Sequence, residues 1–523
     1  MLRTLSPLIA IACASGLCAQ NMTERATVAW GGEFNTDKDG AFDAVIGSTA
    51  THVYLALYRK KELFIEKMDF SLAVVYKKLV PLEIGKDDHE LEKVVVFGDR
   101  ILVFTTSYDG KANTNGLFLR IFSAEDMVQQ GAMQRLASID AESKRDKGGF
   151  EISFSPDEKI VLVSQNVPYE KDTKERFDLK IFDMNMALMW QREVELPYLD
   201  SEFGVQDLRV DNDGSVIMVG NKYAEKREAR ELRKDGKATY TYHLLVYRSG
   251  TGSPSDHAIE VADKFLQDLT LSLGDDGDIL CGGFFSNKGT FSIRGTFFLK
   301  LDRTTKAIIH ESYKEFDNDF ITKYMTEKEE RKATKQAERH GEDMELVDFE
   351  LREIVRSTDG GAVMIGEQYD YYVTHTSYMN ANGTTSYTTS YHYVYNDIIA
   401  VSIDPDGNIA WAVKVPKRQH TVNDRGFYSS FGMTVKGERI YLVFNDNGKN
   451  LFLPPAIRWN GPIWAGKSPS SPWPPSISRA PRTGRPCLHP TSAMRSPHPG
   501  GASNWRMTAC SSSLRESGNT VSG

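Results

Sequence analysis

Four groups of residues in this chain of 523 carry side chains that could do chemistry. The stretch FNTDKDGAFD, residues 34–43, sets Asn35, Asp37, Asp39 and Asp43 around Gly40, as the start of a calcium loop does. Such a loop closes on a bidentate Glu at its twelfth position, which here is Ile46, so a polar turn competes with the metal reading. A second stretch, YDYYVTHTSYMNANGTTSYTTSYHYVY at residues 369–395, holds eight tyrosines. Tyr369, Tyr371, Tyr372, Tyr378, Tyr391 and Tyr393 are its candidate contact residues, because an aromatic ring with a hydroxyl offers flat, amphipathic area to a sugar or a protein. Lys417, Arg418 and His420 form a third group that either binds an anion or is simply solvated. The eleven histidines are scattered, with His375 and His392 placed to face each other across the tyrosine-rich segment. No G-x-S-x-G elbow, H-E-x-x-H helix or phosphate loop is present, so neither a catalytic residue nor a cofactor is assigned.

These residues sit in a repeat. An apolar alternating run, a tight Asp/Gly turn and a second alternating run recur as FEISFSPDEKIVLVSQN, DLRVDNDGSVIMVGNKY, LTLSLGDDGDILCGGFF and REIVRSTDGGAVMIGEQY. Period-2 patterning on both sides of such a turn makes a β-hairpin. The turns fall near Asp99, Asp157, Asp213, Asp276, Asp359 and Gly437, and the first three intervals are 58, 56 and 63 residues. A second hairpin lies between these, with an Asp followed seven residues later by a large apolar residue: Asp69/Tyr76, Asp183/Trp190, Asp302/Ile309 and Asp404/Trp411. Four antiparallel strands per repeat predict an all-β chain, a β-propeller with seven blades visible and eight in an intact form.

The string FSPDEKIVLVS resembles the repeat of TolB-like and WD-type propellers. YNDIIAVSIDPDGNIAWAVKVPKRQ, followed by NDRGFYSSF, is similar to a family of exported propeller proteins from Bacteroidetes that has no assigned activity. The resemblance spans most of residues 30–450 and implies fold and export, with no catalytic residue to carry over.

The long connections all fall on the b–c and d–a side of the blades, which marks one face as elaborated and as the working surface. Residues 316–346 lose period 2 and read as a charged helix with Asp319 or Thr326 as caps, a solvated face rather than a docking one. Residues 223–241 read as an extended hairpin or short helix. The tyrosine-rich segment reads as a long hairpin turning at Asn382-Gly383, its Tyr and Thr being strong strand formers as well as contact residues.

At the N-terminus, MLRTLSPLIAIACASGLCAQ has one cation and a short apolar run, a secretory signal cleaved after Ala19. Residues 20–452 form the propeller and 453–523 an aberrant tail. That tail carries eight Lys/Arg against one acid, so with a whole-chain charge of −8 the rest is near −15, which argues against a nucleic-acid partner. A protein or glycan in the periplasm, at the cell surface or outside the cell is the expected partner. Twelve of the twenty prolines and four of the seven tryptophans lie in the final 70 residues. In a shifted frame, residues 467–477 permit the strand VTVVTVATLD, so the tail reads as a frame-shifted, disordered segment. The reading that follows is an exported, non-catalytic binding or scaffolding propeller. Its rivals are a hydrolase or lyase acting on extracellular polymers, and a non-functional product of a frame-shifted gene.

Overall fold

The computed structural model describes residues 41–446, apart from short stretches in loops, and isolated strands at residues 21–22, 27–28 and 506–512. The signal segment, Asn35, Asp37, Asp39, the turns at Asp276 and Gly437, and the frame-shift reading of residues 467–477 lie outside the described residues. Asp43 is exposed on the first blade strand.

Among the described residues, six antiparallel sheets follow one another along the chain, each with four strands in simple a-b-c-d order and the last with a fifth strand beside its third. The first is β1 (Ala41–Ser48), β2 (His52–Arg59), β3 (Glu62–Asp69) and β4 (Val74–Pro81). The second is β5 (Glu90–Phe97), β6 (Arg100–Asp109), β7 (Thr114–Ser123) and β8 (Gln134–Asp140). The third is β9 (Gly149–Phe154), β10 (Ile160–Asn166), β11 (Lys174–Asp183) and β12 (Leu188–Leu199). The fourth is β13 (Phe203–Val210), β14 (Val216–Tyr223), β15 (Tyr240–Tyr247) and β16 (Ser255–Ile259). The fifth is β17 (Phe265–Leu273), β18 (Ile279–Ser286), β19 (Gly295–Leu301) and β20 (Ile308–Glu315). The sixth is β21 (Phe349–Arg356), β22 (Ala362–Met379), β23 (Thr385–Ile403) and β24 (Ile409–Val415), joined by β25 (Gln419–Val422) beside β23. These are the blades of a β-propeller. Six complete blades, and not the seven expected, stand among the described residues; after them these residues hold the hairpin β26 (Gly432–Lys436) and β27 (Arg439–Asn445), with residues 506–512 lying parallel to β27.

By contact density the chain divides into two compact units, residues 1–103 with 120–132, and residues 104–119 with 133–523. In the first, β1 meets β5, and Ile46, Tyr54, Leu63, Ile65, Val103 and Phe122 share one core. In the second, innermost strands meet in succession, β9 with β13, β13 with β17, and β17 with β21. The cores there are sandwiched between consecutive blades. One joins Leu162, Leu179 and Ile181 to Leu208, Val216 and Tyr247; another joins Leu280 and Phe298 to Met364, Ile399 and Val401.

The repeated residues have local reasons. In four blades an Asp at or just after the end of the third strand turns its carboxylate back on the next turn: Asp69 Oδ1 accepts from the Ser71 and Ala73 amides, and Asp183 Oδ1 from those of Asn185 and Ala187. The third residue on is left-handed, Leu72 at φ 64°, Met186 at 63° and Gly407 at 92°. In second strands the fifth residue is Gly220, Gly283 or Gly366, each beside a bulge in the first strand. A Cβ on Gly283 would lie 1.8 Å from the Asp268 carbonyl oxygen. Gly283→Ala is therefore expected to lower the stability of the fifth blade by about 3 kcal/mol, read as a drop in the thermal unfolding midpoint.

Candidate binding ribbon and its buried root

Strands β22 and β23 do not end with the blade. They pair continuously from Tyr369↔Tyr395 out to Met379↔Thr385 as a two-stranded ribbon. The turn is the five-residue loop 380–384, with Gly383 alone at positive φ (81°) and the Asn380 amide bonded to the Thr384 carbonyl. A two-residue Asn-Gly turn would shift every pair by one. His375 faces Thr389, with 3.0 Å from Nδ1 to Oγ1, and not His392 as the sequence suggested; the Asn-Gly turn would itself have set His375 opposite Ser390, so neither register pairs the two histidines.

The register sorts the tyrosines by face. Tyr369, Tyr371, Tyr391, Tyr393 and two that the candidate set omitted, Tyr387 and Tyr395, lie on one face. Tyr369 and Tyr395 stand with ring centroids 4.8 Å apart, Tyr371 and Tyr393 with 5.2 Å, and Tyr391 pairs with Val373. Tyr372 and Tyr378 lie on the opposite face. The outer rings are exposed, reaching 79 % at Tyr387, whereas Tyr369, Tyr393 and Tyr395 are half-buried. Between residues 370 and 395 there is no Lys, Arg or Glu and one Asp, Asp370. The ladder is thus aromatic, hydroxylated and almost uncharged.

The charges are gathered at its root. Lys417 and Glu367 are both wholly buried, with Nζ 2.8 Å from Oε1 as an ion pair not aligned for a hydrogen bond. Lys417 Nζ donates to the Tyr395 carbonyl and to Gln419 Oε1, while Glu367 Oε2 accepts from Ser430 Oγ and pairs with Arg352. Arg352 also lies 5.6 Å over the Tyr369 ring, and Lys417 lies 5.8 Å from the Tyr395 ring. Burial pulls the Lys417 ammonium down to about 8, against the opposing pull of Glu367. Arg418 is also engaged, bonded to the Tyr324 carbonyl and paired with Glu329. Both cations predicted as possible anion ligands therefore hold the root together.

Asn423 and Gly426 close this root. Asn423 bonds both backbone groups of Tyr391, and Gly426, at φ 71°, packs so close that a Cβ would lie 2.8 Å from the Tyr395 ring. On the other face His392 Nδ1 and His420 Nε2 are 3.0 Å apart, and His392 stacks on Tyr372 at 4.4 Å. Burial, and then His392, hold His420 below its usual value.

The helical insertion is docked rather than freely solvated at its start. In α2 (Asn318–Thr322), which follows α1 (Lys226–Lys234) in the chain, the cap is Asp317 and not Asp319. Phe316 stacks on Phe320 at 4.5 Å, Ile321 is buried, and Lys414 Nζ donates to the Ile321 and Lys323 carbonyls while pairing with Asp397. The following α3 (Glu327–His340) opens on a capping box, Thr326 with Glu329, and its outer side is solvated.

One acidic pair escaped the sequence reading. Glu175 on β11 and Asp200 after β12 lie together; burial first, and then Asp200, push Glu175 up to about 8. Their 25-residue separation carries no motif. Among the described residues no group of three or more His, Cys, Asp or Glu converges as a metal site, and no helix is long and apolar enough to cross a membrane.

No family model and no curated protein matches the chain. Among solved structures it is similar to a prolyl endopeptidase from a study of two such enzymes, at 10 % identity and a TM-score of 0.35 over 68 % of this chain. The chain spans 45 % of that enzyme's length. It is also similar to the β-propeller domain of the Trilobed protease from Pyrococcus furiosus, at 8 % identity and 0.32, covering 72 % of this chain and 94 % of that one. The WD40 domain of SCAP from fission yeast gives 8 % and 0.30, with 71 % of each chain covered. The fold is read from the six blades themselves, which define a β-propeller protein.

Replacing Lys417 with Met leaves Glu367 buried with one cation fewer and is expected to cost about 3–5 kcal/mol, with Glu367→Gln similar. The pH dependence isolates Lys417. Its folded value is lowered, so between about pH 8 and its ordinary value of 10.5 the unfolded chain binds more protons. Stability should therefore gain a rising component across that window in the wild type. Chemical denaturation at stepped pH checks this, since Lys417→Met removes that component.

Proposed function

We propose that this protein is an exported, non-catalytic β-propeller that binds a protein or glycan in the periplasm, at the cell surface or outside the cell. Its contact surface is the tyrosine face of the β22–β23 ribbon. The observation that carries the reading is the six-tyrosine ladder, aromatic on one face, nearly free of charge and held at its root by a buried ion network. Tyr supplies large rigid contact area with few rotatable bonds, which suits recognition without chemistry. Export rests on the N-terminal signal sequence, and kinship with the exported Bacteroidetes propellers on the quoted motifs.

Glu175 and Asp200 favour a second reading, a propeller hydrolase or lyase. A carboxyl group lifted to about 8 keeps its proton at neutral pH, as a general acid must.

The double variant Tyr371→Ala/Tyr393→Ala is expected to weaken binding at least about tenfold with little change in thermal stability. Glycan arrays and pull-downs from periplasmic and surface extracts read this directly. Loss of polymer cleavage in Glu175→Gln, with binding unchanged, would instead support the enzyme.

A further inference from the structure

The outer edge of β22 is open. The Tyr369 amide donates to the Asp348 carbonyl at 2.7 Å, on the side away from β23. By the two-residue period of a strand, the N–H and C=O groups of Tyr371, Val373, His375 and Ser377 point the same way. The next blade strand inward, β21, reaches only Gln368, and nothing among the described residues pairs with this edge further out. The opposite edge is treated differently: β25 and Asn423 cover β23 as far as Tyr391.

Soluble proteins blunt such an edge with lysine, proline or a bulge. Residues 371–379 read YYVTHTSYM and contain neither lysine nor proline, nor any charge apart from what His375 can take up. Their register against β23 is unbroken from Tyr369 to Met379. All of these residues are exposed, Val373 at 37 % and Met379 at 77 %.

The edge is also nearly symmetric about its centre. Reading outward from His375, Thr374 matches Thr376, Val373 meets Ser377 and Tyr372 matches Tyr378. We propose that a second copy of this chain pairs with it here, β22 against β22 in antiparallel sense about a twofold axis at His375. In that register His375 faces its symmetry mate as a hydrogen-bonded pair, because its backbone groups point outward. Val373 and Ser377 then exchange hydrogen bonds, as do Tyr371 and Met379. The side chains that meet on the other face are Thr374 with Thr376 and Tyr372 with Tyr378, pairs that stabilise adjacent strands. No lysine, arginine or carboxylate lies on this edge to oppose its own kind, and His375 with its symmetry mate is the one pair of basic side chains that meet. The antiparallel sense places the two propellers at opposite ends of a joined four-stranded ribbon, and an isologous contact of this kind closes at two copies.

Sedimentation of the full chain over a wide concentration range tests this. Wild type should shift from monomer to dimer and no further. His375→Lys sets two cations face to face and should return the chain to monomer. Ser377→Pro removes an outward amide that the ribbon itself does not use, so it should abolish the dimer while leaving thermal unfolding unchanged. Thr388→Lys, one strand inward on β23, should leave the dimer intact. A wild-type monomer at every concentration overturns the proposal, as does a dimer that survives both edge variants or one that is lost in Thr388→Lys.

Discussion

The second strand of a blade is buried on both faces, and that constraint shapes everything else in this chain. All eight residues of β18 are buried, as are the first six of β14 and the first six of β22. A sheet with two apolar faces must be covered twice, and here consecutive blades cover one another. Polar chemistry is thereby pushed to strand ends and connections. The sequence answers with Asp-capped turns at one end of the blades and with helices and a ribbon in the connections at the other.

Where β22 passes from the stack into solvent, its burial pattern changes within three residues, from buried Glu367 to exposed Asp370. The transition is where the charges gather. Glu367, Lys417 and Arg352, with Gln419 and Ser430, convert the end of an apolar strand into a fixed polar socket. Burying these charges costs desolvation, so the network adds little stability over an apolar alternative. Its consequence is positional: the ribbon leaves the blade with a defined direction, and β25 is pinned along it. The tyrosine ladder is presented by this socket and not by the core.

Much of the blade architecture was legible in the sequence because turn chemistry is local. Asp69, Asp183, Asp302 and Asp404 each bond amides two to four residues away, so their spacing is visible without a structure. Gly220, Gly283 and Gly366 recur for an equally local reason, the bulge opposite. The blade count was less legible, since two strands after Phe431 do not make a seventh blade. The ribbon was seen, but its register was not. Five loop residues in place of two shift all cross-strand partners by one, which sets His392 opposite Tyr372 and beside His420 where the shorter turn would set it opposite Val373, and in neither register opposite His375. Lys417 and Arg418 looked free to bind an anion or to be solvated because their partners, Glu367 and Glu329, lie 50 and 89 residues upstream. Burial of that kind is long-range and leaves no trace in a string such as VPKRQH.

The central claim is that the ribbon is a surface displayed by the propeller and not a part that stabilises it. Excising residues 373–391 and joining Tyr372 to His392 through Asn-Gly tests this most directly, because that pair is hydrogen-bonded and suits a two-residue turn. The account predicts an unchanged thermal unfolding midpoint together with complete loss of ligand capture. A cooperative collapse of the propeller, or capture that survives the excision, would contradict it.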